Sequence, residues 1–170
     1  MFETSSIRLM TEDDLSMVLS WRNHPDVRRF MLSTHEITFT EHRNWFAQAK
    51  YDKTRRLLII ESSKQAFGFV QFSKVENNGA ADWGFYLSPE APKGSGRILG
   101  VRSLNFAFQN LNLKKVSGQV ISSNLASIKF HRRMGFALED VLFDKQSIDG
   151  TNYSLHCFGL LDADWHPENL

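Results

Sequence analysis

Residues 88–100 read SPEAPKGSGRILG, and the fold turns on them. The stretch opens where the β-rich run ADWGFYL is stopped by Pro89, and it closes inside a run with helical spacing. Gly94-Ser95-Gly96 stands at that junction. Glycines there let backbone N–H groups come close to a ligand, and the start of a helix adds partial positive charge. Such a junction seats a phosphate or pyrophosphate, although the same pattern also makes an ordinary tight turn. It is not a dinucleotide fingerprint, because the third glycine and the downstream acidic residue are missing. Nor is it a P-loop, since no Gly-Lys-Ser/Thr follows.

Upstream, residues 7–10 read as a short strand and TEDDLSMVLSWRN (11–23) as a helix, with Thr11 and Asp14 at capping-box spacing. Leu15, Val18, Leu19 and Arg22 share one face, and His24-Pro25 ends the helix. A second helix is expected from about Thr40, carrying His42, Trp45, Phe46 and Ala49. RRLLIIES and QAFGFVQFSKV are β-rich runs, parted by a hairpin signal at Ser62-Ser63-Lys64. Asn78-Gly79 makes the next tight turn into ADWGFYL, so the middle of the chain reads as an antiparallel meander.

Downstream of the glycine turn come a helix (94–111), a strand (KKVSGQVIS), a helix (LASIKFHRRM) and a strand (FALEDVLFDKQS). Asp149-Gly150 then turns into a final strand, TNYSLHCFGLL. No repeat, low-complexity tract or long linker interrupts the chain, so one α+β domain with a mixed sheet is expected. His131, Arg132 and Arg133 read as the outward face of the last helix.

Composition sets bounds on function. With 20 Lys+Arg against 19 Asp+Glu the net charge is +1, which argues against bulk nucleic-acid binding. Cys157 is the only cysteine, so neither a disulfide framework nor a thiolate metal cluster is expected. His24, His35 and His166 show no partner pattern, and no metal is expected. The start MFETSSIRLM lacks a secretory signal, and no apolar stretch nears the roughly 20 residues that span a bilayer. A soluble cytoplasmic protein is the expectation, without nucleic-acid or membrane partners.

The order of meander, glycine turn, long helix, strand, Asn, then short helix ending Met-Gly-Phe resembles the GCN5-related N-acetyltransferase (GNAT) family over nearly the whole length. YLSP, PKGSGRIL and NLASIKFHRRMGF carry the likeness. The resemblance implies a single N-acetyltransferase domain over residues 1–170, with a mostly antiparallel mixed sheet flanked by helices and a splayed strand pair that admits acetyl-CoA. It implies that backbone amides around Lys93, Gly94, Ser95, Gly96 and Arg97 hold the pyrophosphate. The thioester would then lie beside Phe85, Tyr86 and Leu87, with the Leu87 N–H as oxyanion donor. Asn124, Ser127, Lys129 and Arg132 would also meet the CoA. The chain departs from the family pattern at Ala91, where Arg or Gln is usual, and at His131, where Tyr usually acts as general acid.

Within the family, SWRNHPDVRRFMLST, EHRNWF, FSKV and GSGRILGVRSLNFAF resemble the subgroup that acetylates a 4-amino sugar nucleotide on the pseudaminic acid pathway (the PseH type). That likeness implies substrate contacts from Arg22, His42, Ser73, Lys74 and Tyr86, and catalysis by His131 or Tyr86. The amine would attack the thioester directly, with no covalent enzyme intermediate, and Cys157 is not expected to be a nucleophile. Asp82 and Glu61 are possible bases, but a sugar amine of lowered pKa needs only a water relay. Two rival readings remain: a Rim-type protein N-terminal or polyamine acetyltransferase, and a non-catalytic acyl-CoA sensor. A polyamine site would want clustered carboxylates, whereas Arg22, Arg28, His42 and Lys74 are cationic or neutral. Monomer and homodimer are both open.

Overall fold

The computed structural model describes residues 4–76, 79–146 and 150–169. The turns expected at Asn78 and Asp149 lie outside the described residues, although the following Gly79 and Gly150 have φ of 83° and 84°. The chain runs β1 (Ser5–Leu9), α1 (Leu15–Asn23), α2 (Pro25–Arg28), α3 (Phe39–Ala49), β2 (Arg56–Ser62), β3 (Gln65–Ser73) and β4 (Ala80–Leu87). Then come α4 (Ser95–Asn105), β5 (Lys115–Ile121), α5 (Leu125–Arg133), β6 (Ala137–Gln146) and β7 (Asn152–Leu161).

Local chemistry accounts for the boundaries. The Thr11 N–H donates to Asp14 Oδ2 at 2.8 Å, and Arg8 forks onto the same carboxylate at 2.8 and 2.9 Å. That capping turn, Glu12–Asp14, is 3₁₀, so α1 begins at Leu15 and not at Thr11. Pro25 starts α2 immediately after α1, a helix the sequence reading did not expect. α3 starts at Phe39, where Thr38 and Glu41 form a reciprocal cap. Ser63 and Lys64, with φ of 50° and 67°, make the β2–β3 hairpin turn. The helix expected over 94–111 is α4 as far as Asn105, continued by a π-helical turn over Phe106–Asn110.

The sheet has seven strands among the described residues, in the order β1-β2-β3-β4-β5-β7-β6. Every neighbouring pair is antiparallel except β4 and β5. Those two are parallel and pair only at Ala80↔Lys115, Ala81↔Val116 and Asp82↔Ser117, after which they part. The splayed pair positions everything that follows.

Both faces of the sheet are covered, which is why Leu57 to Ile60 form an unbroken apolar run. Leu58 and Ile60 face the core that includes Ile98 and Leu99 of α4 and Ile128 of α5. Leu57 and Ile59 face Val18, Trp21 and Phe46 of α1 and α3. Burying each such side chain stabilises the fold by roughly 1.5–3 kcal/mol. At Gly100 a Cβ would come within 2.6 Å of Met134 Sδ, so α4 and the end of α5 meet closely there. No helix among the described residues is long and apolar enough to cross a membrane.

Candidate active site

A cavity of about 800 Å³ passes through the gap between β4 and β5. One wall comes from Trp83, Phe85 and Leu87 of β4 with residues of α4 and α5; the other carries Arg22, His42, Trp45, Phe69 and Tyr86. β4 supplies both because successive strand residues face opposite sides of the sheet.

The glycine turn fits a phosphate-bearing ligand. Gly94 caps α4 with φ of 94°, and nothing lies within 4 Å of the point a Cβ would occupy. Gly96 lines the cavity, and its virtual Cβ has no neighbour nearer than Leu87 Cδ1 at 3.9 Å. The first turn of a helix cannot satisfy its own N–H groups, so such a site offers donors. Two expectations change. The Ser95 N–H is already given to Pro92 O at 3.1 Å, and the Ser95 side chain is turned into the core, 2% exposed. The Arg97 N–H bonds Gly94 O at 3.1 Å. Of the cofactor candidates, Leu87, Gly96, Asn124 and Ser127 line the cavity. Lys93, Gly94, Arg97, Lys129 and Arg132 are exposed and stand outside its wall.

The backbone of β4 adds a donor. Ser88 N–H bonds Phe67 O at 2.8 Å across β3. Antiparallel ladders alternate, so the N–H of Leu87, opposite Gly68, points the other way, into the gap that β5 has left.

The wall that carries Arg22 and His42 holds polar atoms without partners among the described residues. Arg22 Nη2 donates to Ser33 O at 3.0 Å, while Nη1 is buried with no hydrogen-bond partner among the described residues. Burial pulls the guanidinium pKa down, Tyr86 pulls it up and Arg28 down again. His42 is 4% exposed, its ring 5.2 Å from Trp45 in a stacked pair. Burial lowers its pKa against the opposing pull of the Leu15 backbone, and its Nε2 is unpartnered. Tyr86 lies 5.0 Å from Phe69, ring to ring. Burial raises its phenol pKa and Arg22 only partly opposes this, so the hydroxyl keeps its proton throughout the physiological range.

His131 requires correction on two points. It is not on the outward face of α5; it is 2% exposed. Its Nδ1–H donates to Ser127 O at 2.8 Å, and its Nε2 accepts from Trp83 Nε1 at 3.2 Å. Burial among aromatic rings brings its pKa down to about 4, against a small upward pull from Ser127. A neutral ring whose one N–H is spent on a carbonyl has no proton to give, so the general-acid role does not fit. Lys74 and Ser73 are corrected as well. Lys74 Nζ pairs with Asp82 at 2.9 Å and is 77% exposed. Ser73 lies opposite Asp82, at the end of β4 still zipped to β5, and neither residue lines the cavity.

Sequence reasoning missed Trp83, Gln71 and Gln119, which line the cavity. Only strand alternation in VSGQVI and QFS could have marked the two glutamines. The two possible bases are engaged elsewhere, Asp82 with Lys74 and Glu61 with Arg8 at 3.0 Å. Cys157 has a thiol pushed up by burial first and by Asp140 next, the opposite of an activated nucleophile.

Residues 6–137 match a family model described as "Acetyltransferase (GNAT) domain". Acetyltransferase PseH of Campylobacter jejuni (strain 81-176) is 25% identical over 140 residues, covering 82% of this chain and 87% of that protein. Spermidine N(1)-acetyltransferase of Escherichia coli K12 is 24% identical over 146 residues, covering 85% and 78%. Among solved structures, spermidine N-acetyltransferase from Vibrio cholerae, in complex with CoA and spermine, superposes with a TM-score of 0.87. That match is 20% identical and covers 95% of this chain and 98% of the other, a likeness of fold.

Proposed function

We propose that this chain, which belongs to the acetyltransferase (GNAT) family and is an acetyl-CoA-dependent N-acetyltransferase, acetylates the amine of a nucleotide-linked 4-amino sugar. The observation that carries the reading is Arg22: a buried guanidinium nitrogen, unpartnered, on the acceptor wall. A buried cation without a counter-charge is costly, and a diphosphate supplies that charge through paired hydrogen bonds. His42 Nε2, on the same wall and without a partner among the described residues, would take a donor such as a sugar hydroxyl. The likeness to the Campylobacter protein points the same way. On this reading the chain works as one domain over residues 1–170, in the cytoplasm, as monomer or homodimer.

The chemistry follows from the positions. The acetyl thioester enters the gap, and the amine approaches from the Arg22 wall and adds to the carbonyl carbon. The Leu87 N–H faces the oxygen that gains charge. The Tyr86 hydroxyl gives its proton to the departing thiolate. The lowered pKa of a sugar amine leaves a water chain sufficient as base.

The polyamine reading has the spermidine acetyltransferases on its side. A polyamine site wants clustered carboxylates, and the two that line this cavity, Asp26 and Glu41, are exposed and each already has a partner. Asp26 lies 3.6 Å from Arg29, and Glu41 accepts from Thr38 N–H at 2.7 Å. A non-catalytic sensor would not need the protonated Tyr86. The test is CoA release with a UDP-linked 4-amino sugar, the same sugar without its nucleotide, and spermidine. The expected kcat/KM is more than about tenfold higher for the nucleotide-linked amine, as one buried charge-assisted contact would give. Preference for spermidine, or indifference to the nucleotide, overturns the proposal.

A further inference from the structure

We infer that His131 is a positioning residue: its acceptor nitrogen holds the Trp83 indole across Gly118 and so fixes where β4 parts from β5. The last paired residues of those strands are Asp82 and Ser117. The next residues are Trp83 and Gly118. A Cβ on Gly118 would stand 2.7 Å from Trp83 Nε1 and 2.8 Å from His131 Nε2. Two side-chain nitrogens therefore occupy the volume where any other residue would carry its side chain. They bond each other at 3.2 Å in a buried setting, laid against the β5 backbone at the floor of the gap.

The imidazole cannot turn away. Phe158 stacks on it at 5.0 Å, and Phe136 meets it edge-on at 5.0 Å. Its Nδ1–H is committed to Ser127 O, which leaves Nε2 as an acceptor aimed at the indole. Ser127 is itself fixed, because its N–H caps onto Asn124 Oδ1 at 3.1 Å. One line of hydrogen bonds thus runs from the start of α5 through His131 to the first residue of β4 that no longer pairs with β5. Two and three residues on, Phe85 and Tyr86 line the cavity. A shift at Trp83 moves the Tyr86 hydroxyl and the Leu87 N–H relative to the thioester.

This inference rests on acetyl-CoA occupying the gap, and its test separates the two readings. The probes are the indole ¹H–¹⁵N resonance of Trp83, assigned with Trp83→Phe, and steady-state kinetics with acetyl-CoA. His131→Phe keeps the ring and loses the acceptor. Its Trp83 resonance should move, with kcat/KM for acetyl-CoA down about tenfold, the worth of one buried hydrogen bond, and the pH profile unchanged in shape. His131→Gln, whose amide oxygen can accept from the indole, should recover most of both. Gly118→Ala should displace the resonance with His131 intact and cause a similar kinetic loss. In the unmutated protein the imidazole ¹⁵N shifts should show a bare Nε2 between about pH 6 and 8. A protonated Nε2 in that range sinks the inference whatever the variants do. So does an unmoved Trp83 resonance in His131→Phe, a Gln variant as poor as Phe, or loss of a pH limb with the imidazole. Absence of acetyl-CoA binding would remove the functional reading, while the indole resonance would still report on the clamp.

Discussion

The two walls of the cavity treat their buried polar groups in opposite ways. On the α5 wall, Trp83, His131, Ser127 and Asn124 satisfy one another. On the acceptor wall, Arg22 Nη1 and His42 Nε2 are buried with no partner among the described residues. Each unmet group costs about 1–3 kcal/mol, a cost that a bound ligand would relieve. On the proposed reading, the α5 wall would recognise by shape and backbone donors and the Arg22 wall by charge. Mutations on the two walls should therefore affect different constants.

Tyr86 belongs to the same wall as Arg22, and its removal should have the largest effect. Under the proposed mechanism, Tyr86→Phe takes away the proton donor assigned to the thiolate. kcat should fall on the order of 10²- to 10⁴-fold, with the acetyl-CoA-induced rise in Tm retained. A Phe variant with wild-type kcat would return the acid role to a water molecule. Since burial raises the phenol pKa, no descending limb from Tyr86 is expected in the kcat profile below the ordinary tyrosine range.

His131 should be felt in stability against pH. Its folded pKa is about 4, below the ordinary 6.5, so the unfolded chain takes up the proton first as pH falls. The stability it contributes is complete above pH 6.5 and is lost progressively down to about pH 4, reaching roughly 3 kcal/mol. His42, lowered in the same direction, adds to that acid slope. Urea midpoints for wild type and His131→Phe, measured at several pH values between these limits, check this. The Phe variant should lose less stability on acidification, and parallel slopes would mean that the imidazole is solvated.

The α5 side should answer to acetyl-CoA alone. At about 100 times Kd the ligand should stabilise the native state by roughly 2.7 kcal/mol, raising Tm by about 5–10 °C for a chain of this size. Gly96→Val should abolish that rise and leave the apo Tm nearly unchanged, because a Cβ there meets nothing nearer than 3.9 Å. A full rise in the Val variant would move the pyrophosphate away from this turn.

The acceptor side should answer to substrate charge. Arg22→Met should raise KM for a nucleotide-linked amine about 10- to 100-fold, the range of a charge-assisted hydrogen bond, with KM for acetyl-CoA unchanged. Equal losses with a small neutral amine would make Arg22 a support for the Ser33 loop, to which its other nitrogen is tied.

Much of this architecture was legible in the sequence. The switch from period-two runs to helical spacing at SPEAPKGSGRILG placed the strand, turn and helix that frame the gap. Arg22, His42, Tyr86, Gly96 and Asn124 all line one cavity. What failed was the assignment of faces. His131 sits beside Arg132 and Arg133, and charge density along the chain suggested solvent; the 100° step per residue instead turns it towards Gly118 and the sheet. Trp83 escapes sequence reasoning because nothing in a linear pattern shows that an indole lies across a glycine on another strand. Asn23, which closes the segment to Ile37 with bonds of 2.8 and 2.9 Å, carries no periodic signal at all.

Lys74 gives the smallest expected effect and the clearest contrast with Arg22. Both are cations assigned to the substrate by resemblance, and solvent separates them. Arg22 is half-buried with a nitrogen unpaired, whereas Lys74 is 77% exposed and already faces Asp82 at 2.9 Å. Its raised pKa comes first from that same hydrogen bond, so the ammonium is held at the zipped end of β4 and not aimed along the gap. An exposed pair of this kind is screened by salt and weak, and a distant charge reaches the cavity only through water. Lys74→Ala should therefore change KM for the acceptor less than about twofold at physiological salt. Should KM instead rise as far as in Arg22→Met, the ion pair with Asp82 must open during turnover, and the acceptor wall would extend along β3 to Ser73.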